Sequence, residues 1–164
     1  MLFRSTGRFN TNGSNNGNQL LRAYGDVVIS RLSAGTGAVR VDSVSGSILD
    51  ADLASASPQV TNIEADKVRL FAGGSAGSIG TSTNAIELSI NTLAALAPAT
   101  GSSRGIFVSE SNGLEIGSVG ALATLKVQRV WDTGLATDTV LPGAGPIAGT
   151  DAALAGVTVG NDAP

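Results

Sequence analysis

Short segments in which apolar and polar residues alternate recur along the chain, and corners rich in glycine or asparagine separate them. The clearest such segments are residues 39–41, 68–70, 86–90 and 114–116. Alternation with a period of two is typical of half-buried strands. The corners at 35–37, 73–75 and 111–113 carry residue types that tolerate a positive φ. The sequence therefore predicts an all-β fold of short strands joined by tight corners.

A regular spacing runs through the same region. Aliphatic residues occur every 20 positions, at Val28, Ile48, Val68, Leu88 and Val108. One segment of this length buries too little apolar surface to offset the conformational entropy lost on ordering it, so the segments must stack on one another. We therefore expect a parallel β-helix (a β-solenoid) with coils of about 20 residues, in which these five side chains form one interior core column.

Residues 85–97 have a second interpretation. Ile86, Ile90, Leu93 and Ala97 also fit the spacing of an amphipathic helix. We expect strands here, because the segment belongs to the repeat and Thr92 is a β-branched residue that favours strands.

Composition excludes several classes of function. The chain has no cysteine and no histidine, which removes imidazole bases, Ser-His and Cys-His nucleophile pairs, Cys/His zinc sites and disulfides. A net charge of −3 argues against a nucleic-acid partner, which requires a basic face. No run of 18 apolar residues is present, so we expect no membrane span. We expect a protein that is not an enzyme and that uses no cofactor.

The chain divides into three zones by composition: a basic Asn/Gly-rich head at 1–24, the predicted coils at 25–120, and an acidic Pro/Gly/Ala-rich tail at 121–164. The charged residues of the head are all basic and the last ones of the tail are all acidic. They are Arg4, Arg8 and Arg22 in the head, and Asp132, Asp138, Asp151 and Asp162 in the tail. Opposite charges at the two ends predict a head-to-tail contact between subunits, and hence a homopolymer.

The order of several short motifs resembles a known family. Gly-Ala-Val-Arg-Val at 37–41 is followed by Gly-Ser-Ile-Leu-Asp-Ala-Asp at 46–52, Val-Arg-Leu-Phe-Ala-Gly-Gly at 68–74 and Gly-Ser-Ile-Gly at 77–80. In this order they resemble the repeats of filamentous-haemagglutinin-like giant bacterial surface adhesins, over residues 25–120. The resemblance implies a right-handed parallel β-helix, secreted or held at the bacterial cell surface, that serves in adhesion or as a stalk. The head and the tail depart from that pattern.

Two pairs of acidic residues are candidate sites. Asp50 and Asp52 lie on one side of an extended segment and offer oxygen ligands to Ca²⁺, although a solvated corner is the favoured interpretation. Glu110 and Glu115 have the residue types of a glycosidase pair, but simple exposure is the plainer interpretation.

Basic and aromatic residues supply two further candidates. Arg40 and Arg69 occupy equivalent outward positions of similar strands, where they suit an acidic glycan or are ordinary surface residues. Tyr24 and Trp131 suit stacking on sugar rings, or capping of the two ends of the fold.

These observations favour a non-catalytic, extracellular structural or adhesive protein that assembles head-to-tail into a filament or forms part of an adhesin stalk. A host or matrix glycan is the expected external partner. The alternative is a β-helix protein that binds or cleaves polysaccharide.

Overall fold

A computed structural model describes residues 3–4, 8–10, 17–101, 104–120, 122, 129–132, 137–140 and 154–160. Among these residues every regular element is a strand and there is no helix. The first nine strands are β1 (Phe3–Arg4), β2 (Arg8–Asn10), β3 (Gln19–Ala23), β4 (Val27–Ile29), β5 (Arg31–Ser33), β6 (Ala38–Ser43), β7 (Ile48–Asp50), β8 (Ile63–Glu64) and β9 (Lys67–Ala72). The others are β10 (Ile86–Ser89), β11 (Thr92–Ala97), β12 (Val108–Glu110), β13 (Glu115–Ile116), β14 (Ser118–Val119), β15 (Arg129–Asp132), β16 (Thr137–Val140), β17 (Leu154–Ala155) and β18 (Val157–Val159).

The chain visits three parallel sheets in rotation. Sheet A has the strand order β1-β4-β7, sheet B the order β2-β5-β8-β10-β12, and sheet C the order β3-β6-β9-β11-β13. Single bridges from Ile48 to Ile79 and from Ile79 to Ile106 extend sheet A. The predicted all-β class is confirmed, and the strands are mostly parallel.

Three of the four predicted strands are confirmed, whereas in the fourth, at 114–116, only Glu115–Ile116 form a strand, and both residues are exposed. Residues 39–41 and 68–70 lie within β6 and β9, and β10 and β11 occupy the segment that also fitted a helix. Backbone pairing with β8 and β9 on one side, and with β12 and β13 on the other, gives this segment the hydrogen bonds that a helix would otherwise supply.

Register places buried aliphatic residues in contact from strand to strand. In sheet C, Val39 pairs with Val68 and Val68 with Leu93. In sheet B, Leu32 pairs with Ile63 and Ile63 with Leu88. All of these side chains belong to one buried apolar cluster, which also holds the sheet A residues Val27, Ile48 and Ile79.

The five residues spaced by 20 are distributed over all three sheets and do not form one column. Val28 and Ile48 lie in sheet A, Val68 in sheet C, and Leu88 and Val108 in sheet B. Ile48, Val68 and Leu88 are buried, whereas Val28 and Val108 are only partly buried. Successive partners of sheet C lie 20, 29, 25 and 23 residues apart, so a 20-residue step describes only the first of them.

The steps differ because the connections differ in length. A long one of 12 residues joins β7 to β8, and most of its residues from Ala51 to Val60 are exposed. Such a segment projects outward without disturbing the paired strands on either side, so its length leaves the register unaffected.

The head and the tail both contribute strands to the sheets. β1, β2 and β3 belong to the head and pair in parallel with β4, β5 and β6. From the tail, β18 pairs in parallel with β11, and β17 pairs antiparallel with β14. The strands β15 and β16 form a separate antiparallel pair. The compositional boundaries at 24 and 120 are therefore not boundaries of the sheets.

Candidate functional site

A cleft of about 240 Å³ opens on sheet C. Three of its lining residues, Arg40, Asp42 and Val44, follow one another at alternate positions of β6 and the corner after it. Because Val39 and Val41 point into the apolar cluster, Arg40 and Asp42 project from the opposite face of the strand. We call this site the arginine cleft; its lining residues are Arg22, Arg40, Asp42, Val44, Arg69, Phe71 and Leu96.

Strand register brings these residues together from four strands. Arg40 of β6 is paired directly with Arg69 of β9. Asp42 pairs with Arg22 of β3 on one side and with Phe71 of β9 on the other, and the row continues to Leu96 of β11. The cleft is thus formed by two adjacent cross-strand rows on one sheet face.

A buried ion pair lies at the centre of the arginine cleft. The side chains of Arg40 and Asp42 are only 4% and 3% exposed. Arg40 Nε donates to Asp42 Oδ1 at 3.0 Å, and Arg40 Nη2 makes a second, shorter bond to Asp42 Oδ2. This two-pronged arrangement holds the guanidinium plane in a fixed orientation.

Arg69 experiences an unfavourable electrostatic environment. Burial lowers the pKa of its guanidinium, and the charge of neighbouring Arg40 lowers it further, while Asp42 partly opposes these effects. An arginine nevertheless stays charged at any physiological pH. The repulsion between Arg40 and Arg69 would be relieved by an anion placed between them.

The lining of the arginine cleft combines three positive groups and one negative group with an apolar wall. Phe71 and Leu96 form that wall, and they continue the row of Arg22 and Asp42. Guanidinium groups match the geometry of carboxylate, sulfate and phosphate oxygens. The arrangement is suited to binding an anion that carries an apolar or ring-shaped body, and apart from Asp42 none of its lining residues is a nucleophile or a general base.

A second group of charged residues lies where the connections leave sheets A and B. Buried Asn62 donates from Nδ2 to Asp50 Oδ1 at 2.7 Å, and its Oδ1 accepts from the backbone N–H of Glu87 at 2.9 Å. The backbone N–H of Asp52 donates to the same Asp50 oxygen at 3.0 Å. We call Asp50, Asp52, Asn62 and Glu87 the acidic corner.

The carboxyl of Glu87 is the titratable group that this corner perturbs. Partial burial raises the pKa of Glu87, and the negative charges of Asp50 and Asp52 raise it further, against a smaller lowering from a backbone hydrogen bond. The folded chain therefore favours the protonated form of Glu87 more than the unfolded chain does.

The candidate metal and glycosidase residues are placed as follows. Within the part of the chain that the structure describes, no three histidine, cysteine or acidic side chains are grouped so that they could hold a metal ion. Glu110 and Glu115 lie on different sheets, on β12 and β13. Glu110 Oε1 accepts from the backbone N–H groups of Ser111 and Ile90, which gives it a role in fixing a corner.

The two aromatic candidates lie at or beside different strands. Tyr24 follows β3 and is 77% exposed, so it covers little of the fold. Trp131 lies on β15, whose backbone pairs with β16.

The structure places five of the seven charged residues that the sequence analysis assigned to the two ends. Arg4 and Arg8 lie on β1 and β2, the terminal strands of sheets A and B, and Arg22 lies on β3, the terminal strand of sheet C. Asp132 and Asp138 lie on β15 and β16 and are register partners of Thr137 and Trp131. Asp151 and Asp162 lie outside the described residues.

Sequence reasoning identified Arg40 and Arg69 but missed Asp42, Phe71 and Glu87. The alternation in β6 already placed Asp42 on the same side as Arg40. The alternation in β9 likewise places Phe71 on the same side as Arg69. The approach of Glu87 to Asp50 depends instead on the lengths of the connections, which the regular spacing of 20 did not reveal.

The comparisons with known proteins give no family and no relative. No protein-family model matches the chain, and no curated protein or solved structure matches it significantly. Among the described residues, no helix has the length and apolar character needed to cross a membrane.

Proposed function

We propose that the chain is a right-handed parallel β-solenoid that serves as a non-catalytic structural or adhesive element outside a bacterial cell. The rotation of the chain through three parallel sheets supports the solenoid, because each strand then lies on its counterpart from the preceding turn. The extracellular setting rests on the resemblance to surface adhesins.

The observation that carries this proposal is the state of the strand edges. β1, β2 and β3 are terminal at one end of the three sheets, and β12 and β13 are terminal at the other, within the described residues. Because all of these strands run parallel, the edge at one end has the polarity needed to pair with the edge at the other. A contact of this kind is head-to-tail and repeats without closing, which builds a filament.

Apolar side chains at the second end favour the same contact. Ile116 on β13, and Val157 and Val159 on β18, are all between 40% and 52% exposed. Both strands extend the same side of β11, β13 along its first half and β18 along its second. A further subunit, or adjoining coils of the same polypeptide in a longer stalk, would bury these side chains.

The backbone of β18 is ready for a further strand. Ala95 N donates to Gly156 O, and Gly160 N donates to Ala97 O. Since alternate residues of a strand bond to each parallel neighbour, the N–H groups of Val157 and Val159 point away from β11.

The test compares the unmodified chain with two lysine variants by sedimentation velocity and electron microscopy. We expect the unmodified chain to form species that lengthen with concentration, and Val159→Lys to prevent this by placing a charge on the pairing edge. Leu53→Lys makes the same change at a residue that is 75% exposed on the connection between β7 and β8, and should leave assembly intact.

Salt separates the electrostatic contribution from the strand pairing. If the basic head and the acidic tail attract each other, raising the ionic strength shortens the assemblies. A chain that stays monomeric at high concentration and low salt would overturn the filament proposal.

The acidic corner favours one alternative, a polysaccharide-cleaving enzyme. A carboxyl with a raised pKa beside two further carboxylates has the properties of a general acid, and Glu87 is that group here. Incubation with acidic and neutral polysaccharides, followed by measurement of new reducing ends, decides the question. Release of reducing ends that Glu87→Gln abolishes would replace the non-catalytic proposal with this one.

A further inference from the structure

We propose that the arginine cleft binds the carboxylate of a hexuronic acid unit in an acidic polysaccharide. The site would give an adhesive rod a specific ligand, but the inference does not depend on solenoid geometry or on filament formation. It rests on the charge, the size and the lining of the cleft.

The charge of the cleft requires an anionic ligand. Arg22, Arg40 and Arg69 contribute three positive charges to the lining and Asp42 one negative charge, so the lining carries a net positive charge. The hydrogen bonds that Arg40 donates to Asp42 hold its guanidinium in place, so Arg40 is already oriented before a ligand arrives. Preorganised donors lose little conformational entropy on binding.

The position of Arg69 indicates where the anion would lie. Arg69 is the register partner of Arg40 on the neighbouring strand, so the two guanidinium groups project from the same row of the sheet. Arg22 lies in the adjacent row, on the far side of Asp42. A planar carboxylate near Arg69 would meet a fork of N–H donors and reduce the repulsion between neighbouring arginines.

The size and the apolar wall favour a sugar ring as the body of the ligand. A volume of about 240 Å³ accommodates one ring-sized group and leaves the next units of a polymer outside. Phe71 and Leu96 offer an apolar surface in the row next to Arg40 and Arg69. The C–H face of a pyranose packs well on an aromatic ring, whereas a small inorganic anion makes no use of that wall.

The experiment measures binding of a galacturonic acid trimer to the full chain by isothermal titration calorimetry at low salt. The matched ligand is the fully methyl-esterified trimer, which keeps the rings and loses the charges. We expect the acid to bind and the ester to bind about 10-fold more weakly or worse, because charge-assisted bonds are lost.

Variants locate the site. Arg69→Gln and Arg22→Gln should each weaken binding of the acid about 10-fold. Lys67→Gln is the control, since Lys67 is an exposed cation two residues before Arg69 on β9 and does not line the cleft. It should change the affinity less than about twofold if the contact is specific and not a diffuse attraction. Arg22 is exposed, so its variant keeps the test decisive even if Arg69→Gln folds poorly.

Several results would overturn the proposal. It fails if the acid does not bind, if the ester binds equally well, or if Lys67→Gln weakens binding as much as Arg69→Gln does. It also fails if a triaspartate peptide binds as tightly as the sugar acid, because the cleft would then recognise acidic protein segments. Polymerisation of the chain is measured separately, so loss of binding and loss of assembly remain distinguishable.

Discussion

Removing Asp42 should destabilise the fold far more than removing an exposed carboxylate of similar type. The Asp42→Ala variant deletes both hydrogen bonds that Arg40 makes with this carboxylate, and the Arg40 side chain is only 4% exposed in the unmodified fold. Breaking a buried ion pair by removing one partner costs about 3–5 kcal/mol, because the remaining charge is poorly solvated. We expect a loss of that size in the free energy of unfolding.

A double variant separates this desolvation from the value of the pair itself. Arg40→Met combined with Asp42→Leu replaces two buried charges with apolar side chains on the same strand face. Such replacements are often neutral or stabilising. The free energy of unfolding of the double variant should therefore be within about 2 kcal/mol of that of the unmodified chain and well above that of Asp42→Ala. The difference appears as a large coupling energy in the double-mutant cycle.

The partly exposed pair of Arg31 and Glu64 provides the control. Its nitrogen and oxygen lie 3.1 Å apart, but the two side chains are 34% and 42% exposed. The same cycle there should give a coupling of at most about 1 kcal/mol. Urea unfolding followed by far-ultraviolet circular dichroism measures all of the variants at pH 7. The reasoning is refuted if Asp42→Ala costs no more than Glu64→Ala.

Two further predictions concern stability. Gly80 has φ of +66°, and a Cβ there would lie 2.3 Å from the carbonyl oxygen of Phe107, so Gly80→Ala should lower the free energy of urea unfolding by about 2 kcal/mol or more. The control is Gly120→Ala, whose added Cβ has no neighbouring atom within 4 Å and should cost less than about 0.5 kcal/mol. Equal costs for the two variants would contradict the close approach at Gly80. Because the folded-state pKa of Glu87 is raised, the stability that its protonated carboxyl contributes is fully present below the ordinary pKa of 4.5 and is lost as pH rises through the folded pKa. Gln resembles the protonated carboxyl at every pH. Glu87→Gln should therefore stabilise the fold at pH 7 and lose that advantage as pH falls towards 4.5. Urea unfolding curves between pH 4.5 and pH 7 test the sign of this stability change. Glu115→Gln removes one charge at an exposed residue and is the control. A Glu87→Gln variant that is less stable than the unmodified chain at pH 7 would contradict the prediction.

The sequence by itself determined the class of fold and the local pairing surfaces. Alternation at 39–41 and 68–70 fixed which side chains of β6 and β9 face the core, because successive residues of a strand point to opposite sides. It also placed Arg40 and Arg69 on the outward face, at positions that proved to be register partners. These features are local, so they survive any change in the length of a connection.

Only the tertiary structure decided which strands are neighbours. Val28, Ile48, Val68, Leu88 and Val108 are evenly spaced along the chain, yet unequal connections distribute them among three sheets. The arginine cleft and the acidic corner exist because of that distribution, since each joins residues from strands that connections of different length bring together. The head and the tail likewise joined the sheets because strand edges accept any segment with free backbone donors and acceptors, a property that composition does not record.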